Sequence, residues 1–416
     1  MFAILNRKIT LESYLIVSTC VSVFLLIVVA RVGLDIFLGY PIVIANTLIL
    51  LWLGRLIIHP YHAIAIGVLA TASLAASVFS PTPFNAILSQ IAGISMMSVY
   101  YLSMLVTTGW SLRRWIELYA RIAFAICLYG LVGWVYLIAS HDIDGRLRSI
   151  FAEPSLYVYT TLPAVGFFMN CWFTEKRYGK ELLIFVLSYI LADSFLGFVG
   201  LLLAGLLAAG RHLSFWRVVV GILTTATLVT GLYFASGNFR LRARDTALAL
   251  VSRDVSNTNG STFALLSNLY VAGRTFLEHP LSGVGIGGYG YIYDVYILDL
   301  TGKNLKNLPF SLNKDDANSL FLRVAAELGL PGLLALFSFL IICARVKAPP
   351  YREIRNALVP YFIVRMSRFG GYFSLELYFF VGIYLLNYLA YRRSLGAVAA
   401  LPRSGNTTTF PRADTV

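Results

Sequence analysis

Long apolar stretches separated by short charged or glycine- and proline-containing joints dominate this chain. Residues 13–30, 218–235 and 328–344 are examples, each nearly free of charge. About 20 apolar helical residues cross a hydrocarbon core of ~30 Å. Reading every run this way predicts an all-α integral membrane protein of about twelve spans. They fall near 13–31, 36–54, 62–80, 84–109, 115–139, 156–173, 182–193, 195–210, 218–235, 328–344, 357–367 and 375–391. Residues 182–210 read either as two short helices around Asp193 and Ser194 or as one long tilted span. The segment at 357–367 is short and carries Arg365. Four regions follow: a transmembrane bundle over 1–235, a large loop over 236–327 between spans nine and ten, further spans over 328–395, and a disordered polar tail over 396–416.

Charge adds sidedness. Arg7/Lys8, Arg55, Arg113/Arg114, Lys176/Arg177/Lys180, Arg211/Arg217, Arg345/Lys347/Arg352/Arg355 and Arg392/Arg393 all fall on one side of such a fold. Basic residues in short loops mark the cytoplasm, which puts both termini there. The two long connectors, 140–155 and 236–327, then face outward. The first apolar run is too long for a signal-peptide core and reads as an anchor.

Composition agrees. Of 416 residues, 58% are hydrophobic and 13% charged, about half the charge of a soluble domain. Mean hydropathy is +0.75. The net charge of +13 is accounted for by cytoplasmic loops, so no nucleic-acid partner is implied. Cys20, Cys127, Cys171 and Cys343 stand apart inside apolar runs, which gives neither a zinc site nor a disulfide framework. No cofactor or metal motif is present in the sequence. There is no solenoid repeat and no inverted pair of broken spans.

The outward connectors hold the candidate chemistry. Arg146 and Arg148 precede Glu153 at the edge of a span. Arginine keeps its charge and offers a planar fork that matches phosphate oxygens. A carboxyl beside an apolar boundary is a candidate general base. The plain alternative is an arginine–glutamate pair that braces a loop. Ser319, Arg323 and Glu327 recur every four residues and so share one helix stripe. That stripe reads as an ion pair at a span mouth or as part of a cavity. Arg240, Arg242 and Arg244 open the large loop and read as headgroup anchors. Arg365 and Arg368, between the last two spans, are candidates for a lipid phosphate. His279, beside Pro280, is either a turn residue or a base, whereas His59, His62 and His212 fall on the cytoplasmic side. Gly285-x-Gly287-x-x-Gly290 fits the dinucleotide fingerprint only formally, since no βαβ pattern surrounds it.

Three segments carry a resemblance. Residues 146–155, R-x-R-S-I-F-A-E-P-S, resemble the R-x-R-G-x-F-x-E-P-S stretch of bacterial O-antigen and exopolysaccharide polymerases, members of the O-antigen ligase/polymerase superfamily. Residues 276–287 are similar to that superfamily's F-x-x-H-P-L-x-G-V-G-x-G. Asn318-Ser319, followed by Gly329-Leu330-Pro331-Gly332, resembles its H-N-x9-G-x-x-G element. The three keep family order over 146–332. Asn318 stands where ligases of the family carry histidine, which favours the polymerase branch. The family's further arginine aligns with Gly260-Ser261-Thr262-Phe263, leaving Arg253 or Arg274 as its substitute.

The resemblance implies a bacterial inner-membrane glycosyltransferase, independent of metal and cofactor. It would join polyisoprenyl-diphosphate-linked oligosaccharide repeats at the periplasmic face. Implied partners are that lipid-linked oligosaccharide, membrane lipid and a chain-length regulator protein. Implied roles are Arg146, Arg148, Glu153 and Asn318 in catalysis. Arg253, Arg274, His279, Arg323, Arg365 and Arg368 would hold substrate or diphosphate. Two alternatives stay open: a ligase that passes polymer to lipid A core, and a flippase-type transporter of lipid-linked sugar.

The predicted sidedness has a direct measurement. Cysteines placed at Arg146 and Glu153 are expected to react with a membrane-impermeant maleimide from outside spheroplasts, while one at Arg113 reacts only after lysis. The reverse pattern overturns the topology.

Overall fold

A computed structural model describes residues 10–26, 28–31, 35–139, 145–210, 230–231, 233–234, 237–252, 260–301 and 312–399. Most of the expected span at 218–235, Arg253, His212 and the tail from 400 onward lie outside the described residues. The elements run α1 Leu11–Ser22, β1 Val28–Arg31, β2 Asp35–Phe37, α2 Gly39–Trp52, α3 Pro60–Ser77, α4 Phe84–Thr107, α5 Leu112–Ala139, α6 Pro154–Glu175, α7 Gly179–Ala192 and α8 Phe195–Ala209. They continue with α9 Gly237–Ser252, α10 Gly260–Glu278, α11 Tyr289–Thr301, α12 Leu320–Ala344, α13 Tyr351–Arg368 and α14 Leu375–Ala399. Strands β1 and β2 form one antiparallel ribbon. Helices α3, α4, α5 as far as Tyr136, and α12 are long and apolar enough to cross a membrane. Helices α1, α2 and α8 are apolar but shorter. The molecule is an α-helical membrane protein.

Two expected spans take a different form, and the structure decides between the two readings of a third region. The run at 13–31 is helical only to Ser22, and its valine-rich end pairs as β1, where β-branched residues favour extended backbone. Residues 182–210 are two helices, because Asp193 adopts a left-handed conformation (φ 43°, ψ 51°) and Ser194 is extended. The short segment at 357–367 is the middle of α13, 18 residues long. Hydropathy misses its first turns because Glu353 and Asn356 are buried against protein rather than lipid.

Helices α6 and α13 form the centre. α6 packs against α5, α7, α8 and α13. Gly166 lets the two backbones meet, since a Cβ there would lie 2.9 Å from Ala357 Cα. Asn356 Nδ2 donates to Asn170 Oδ1 and to Leu207 O, both at 2.9 Å, tying α13 to α6 and α8. At one end of this core Arg113 pairs with Glu175 and, at 3.4 Å, with Glu353. The opposite end carries the heads of α6, α12 and α14 and the tail of α13.

Helix α12 breaks near that opposite end. Gly329 leaves helical space (φ 63°, ψ −154°) and Pro331 has no N–H to give. The carbonyls of Ala326 and Glu327 thereby lose their helical donors. Val284 N–H donates to Ala326 O at 3.0 Å and Gly285 N–H to Glu327 O at 2.9 Å. In return, Leu330 N–H donates to Pro280 O at 2.7 Å. Thr82 Oγ1 and Ser80 Oγ then fasten Val284 O at 2.6 and 2.8 Å. Residues 280–288 are thus a strap whose amides replace a missing helical turn. Gly283 (φ +61°) has to be glycine, because a Cβ would lie 2.3 Å from the Glu327 carbonyl.

Replacing Gly283 by alanine combines a left-handed backbone penalty of about 1–2 kcal/mol with that collision. The thermal midpoint of Gly283→Ala in detergent is expected to fall steeply. Gly67→Ala, where a Cβ meets nothing within 4 Å, should leave it unchanged. Equal midpoints would refute the strap.

Candidate functional site

The turn before α12 is built on left-handed residues, Asn313, Ala317 and Asn318, with φ of 61°, 56° and 57°. Asparagine tolerates this region better than most residues. The turn sets Asn318 in the interior, with no exposed surface. Its N–H donates to Asp316 Oδ1 at 3.0 Å, its Oδ1 accepts from Arg368, and its Nδ2 is buried with no hydrogen-bond partner. Ser319 caps α12 by accepting from Leu322 N–H at 3.2 Å, and its hydroxyl donates to Met366 O.

One turn into α12, Arg323 Nε donates to Glu327 Oε1 at 3.2 Å and Arg323 Nη1 to Gly370 O at 3.2 Å. Its guanidinium carbon lies 4.1 Å from the centre of the Tyr372 ring. Glu327 Oε1 also accepts from Tyr289 N–H at 3.2 Å, while Oε2 is buried without a partner. On α13, Arg365 is 1% exposed and pairs with Glu376 of α14 at 2.7 Å. It also donates to Tyr159 Oη, Gly371 O and Ser374 Oγ, and Tyr159 Oη donates in turn to Glu376. Loop 369–374 is therefore gripped from two helices, by Arg323 on Gly370 and by Arg365 on Gly371. Gly370 has no room for a side chain, because a Cβ would overlap Asp316 O. Burial pushes the half-buried Asp316 carboxyl up, against the lowering by the Asn318 N–H and by Arg323, Asn313 and Arg368.

The structure thus brings Asn318, Arg323, Arg365 and Arg368 together. Arg365 and Arg368 reach this site from α13, and both meet protein acceptors there. The connector before α6 is anchored nearby. Leu147 N–H donates to Leu191 O at 2.9 Å, Ser149 Oγ donates to Ile126 O at 2.8 Å, and Leu147 and Phe151 are buried. These anchors leave Arg148 and Glu153 exposed and Arg146 half-buried at the head of α6, with Pro154 as its first residue. Ser155 Oγ donates to Glu153 Oε2 at 2.9 Å. Tyr159, on the same helix, joins this head to Arg365.

Other expected residues stand apart. Arg274 Nε donates to Glu278 Oε1 at 2.9 Å, pairs with Asp299 and lies 4.4 Å from the Tyr296 ring centre, bracing α10 on α11. The His279 carbonyl accepts from Gly283 N–H at 2.9 Å and starts the strap. Gly285 and Gly287 are turn glycines with φ of 84° and 80°; a Cβ at Gly287 would lie 2.8 Å from Gln90 Cγ of α4. They pack against α4 in place of a nucleotide phosphate. Among the described residues, no three His, Cys, Asp or Glu side chains gather as a metal site requires. Sequence reasoning missed Tyr159, Tyr372, Glu376 and Asp316. A signal for the loop was available in Gly370-Gly371, a glycine pair two residues after Arg368.

No family model and no curated protein matches this chain. What the fold and the site define is a helical membrane protein with arginines gathered at one end of its bundle. The groups around them are amides, hydroxyls and two glutamates, a setting suited to an anionic, hydroxyl-rich ligand.

Glu278 supplies a pH test. Its carboxyl is held below the ordinary value of 4.5 by hydrogen bonds from Arg274 and Tyr296. A lowered carboxylate stabilises the fold above its unfolded pKa and stops doing so as pH falls through its folded pKa. Corrected amide-exchange protection of α10 is expected to be flat from pH 7 to about 5 and to drop below about 4.5, at most ~5-fold for so exposed a pair. Glu278→Gln should remove the drop; an unchanged acid limb in that variant would show that another group is responsible.

Proposed function

We propose that this chain is an inner-membrane polymerase that joins polyisoprenyl-diphosphate-linked oligosaccharide repeats, with its active end at the periplasmic face. The observation that carries this reading is convergence. Of the three segments resembling O-antigen polymerases, the second and third meet in space, and the first runs into the head of α6 at the same end of the bundle. The strap of the second is hydrogen-bonded to the broken helix of the third. The head of α6, from the first, reaches Arg365 through Tyr159. Arg365 and Arg323, the latter within the third segment, grip the same loop. The topology proposed with it has about twelve spans, cytoplasmic termini and a large periplasmic loop over 236–327. In its support, α9, α10 and α11 fall in that segment, and Arg113, with its partners Glu175 and Glu353, lies at the other end.

The chemistry follows from the leaving group. A lipid diphosphate departs readily once its developing charge is held, so the enzyme needs fixed cations and a base. Arg146 and Arg148 bind the diphosphate from the head of α6. Arg323, Arg365 and Arg368 supply further positive charge, and Asn318 positions sugar or phosphate. A carboxylate of the same end takes the proton of the acceptor sugar hydroxyl, and Glu153 is the candidate the sequence offers. The lipid-linked repeat and membrane lipid are the partners, together with a chain-length regulator.

In a strain lacking its own polymerase, wild type should restore laddered polymer, and Arg148→Ala should insert normally while extending chains at least ~10²-fold more slowly. Normal polymer length from Arg148→Ala rejects its role. Polymer that is made but not attached to lipid A core when the gene is deleted would point to the ligase instead.

A further inference from the structure

Two glutamates at the active end are fully buried, and each keeps one oxygen without a hydrogen-bond partner: Glu327 Oε2 and Glu376 Oε2. Leaving a buried acceptor unmet is unfavourable, and more so for a charged group, so each calls for a reason. Glu376, at the head of α14, has Arg365 and Tyr159 on its other oxygen. Glu327 sits at the break of α12 beside the strap, with Tyr289 of α11 and Tyr372 of loop 369–374 against its carboxylate. Its Oε1 is fixed by Arg323 Nε and Tyr289 N–H, both at 3.2 Å, which orients the carboxylate and leaves Oε2 open. Tyr372, whose ring lies against Arg323, brings its buried hydroxyl up to the same carboxylate. A fixed carboxylate, a tyrosine hydroxyl and a cation in one place are what an attacking sugar hydroxyl needs around it. Glu153, by contrast, is exposed and already accepts from Ser155.

We propose that Glu327, rather than Glu153, is the general base that deprotonates the acceptor sugar hydroxyl, an assignment that rests on the polymerase reading. The hydroxyl proton passes to Glu327 Oε2, and the freed oxygen pair forms the bond to the anomeric carbon of the donor. The anomeric carbon–oxygen bond breaks, and its electron pair leaves on the lipid diphosphate. Access comes through loop 369–374. Arg323 and Arg365 hold that loop by the carbonyls of Gly370 and Gly371. Phosphate oxygens are stronger acceptors than peptide carbonyls, so a bound diphosphate draws Arg323 Nη1 and Arg365 Nη2 off the two carbonyls and releases the loop beside Glu327, while Arg323 Nε stays on Glu327 Oε1.

The test uses the purified full chain in liposomes with lipid-linked repeat units, reading polymerisation rate, donor binding and thermal midpoint. Glu327→Gln keeps an amide oxygen for both hydrogen bonds. It is expected to fold, to bind donor within threefold of wild type and to polymerise at least ~10²-fold more slowly. Glu278→Gln, which removes a carboxylate from the α10–α11 brace, should polymerise normally. If Glu327→Gln does not fold, Glu327→Asp decides: it keeps the charge but withdraws it, so the rate should fall at unchanged donor affinity. Full rate in a folded Glu327 variant, or loss in Glu153→Gln alone, overturns the assignment while wild-type polymerisation still upholds the function. No polymer from wild type overturns the function and this assignment with it.

Discussion

The backbone at the break of α12 has to find hydrogen-bond partners away from water, and the architecture of this end of the bundle depends on that requirement. An unmet peptide group in an apolar setting costs several kcal/mol. Gly329 and Pro331 strip Ala326 and Glu327 of their helical donors, and the amides of Val284 and Gly285 replace them. This exchange fixes the strap on the helix, and Ser80 and Thr82 fix the strap on the α3–α4 joint. It also sets the direction of the first turns of α12, and with them the positions of Arg323 and Glu327. A helix that continued straight would need no strap.

Charge burial is the second constraint. The pairs Arg323–Glu327 and Arg365–Glu376 are at most 5% exposed. Removing one partner of such a pair typically costs 3–5 kcal/mol, whereas apolar replacement of both is often neutral. Stability alone therefore does not call for them. Each arginine also holds a carbonyl of loop 369–374, so both pairs act on one short segment. In the proposed function a diphosphate competes for these two guanidinium groups, which would give the cost of the pairs a ligand-binding purpose.

Much of this was legible in the sequence where a local pattern has a local cause. The i,i+4 spacing of Arg323 and Glu327 places them side by side on any helix, and the pair forms. Glycines at 283, 285 and 287 mark a backbone that needs positive φ, and it adopts it. Other features were not legible because their causes lie far away in the chain. α13 reads as a short, poor span since Glu353, Asn356 and Arg365 are polar, yet all three are paired with groups on α5, α6, α8 and α14. Hydropathy assumes lipid as the neighbour and fails where the neighbour is protein.

The sequence by itself determined the class, an α-helical membrane protein, because runs of apolar residues have one stable solution in a bilayer. It also placed Arg323 beside Glu327, because residues four apart share a helix face. Only the tertiary structure decided which groups meet: Tyr159 with Arg365, Arg368 with Asn318, and Gly370 with the Asp316 turn. Those meetings follow from how helices pack side by side, and helix packing joins residues whose separation in the chain leaves no periodic trace.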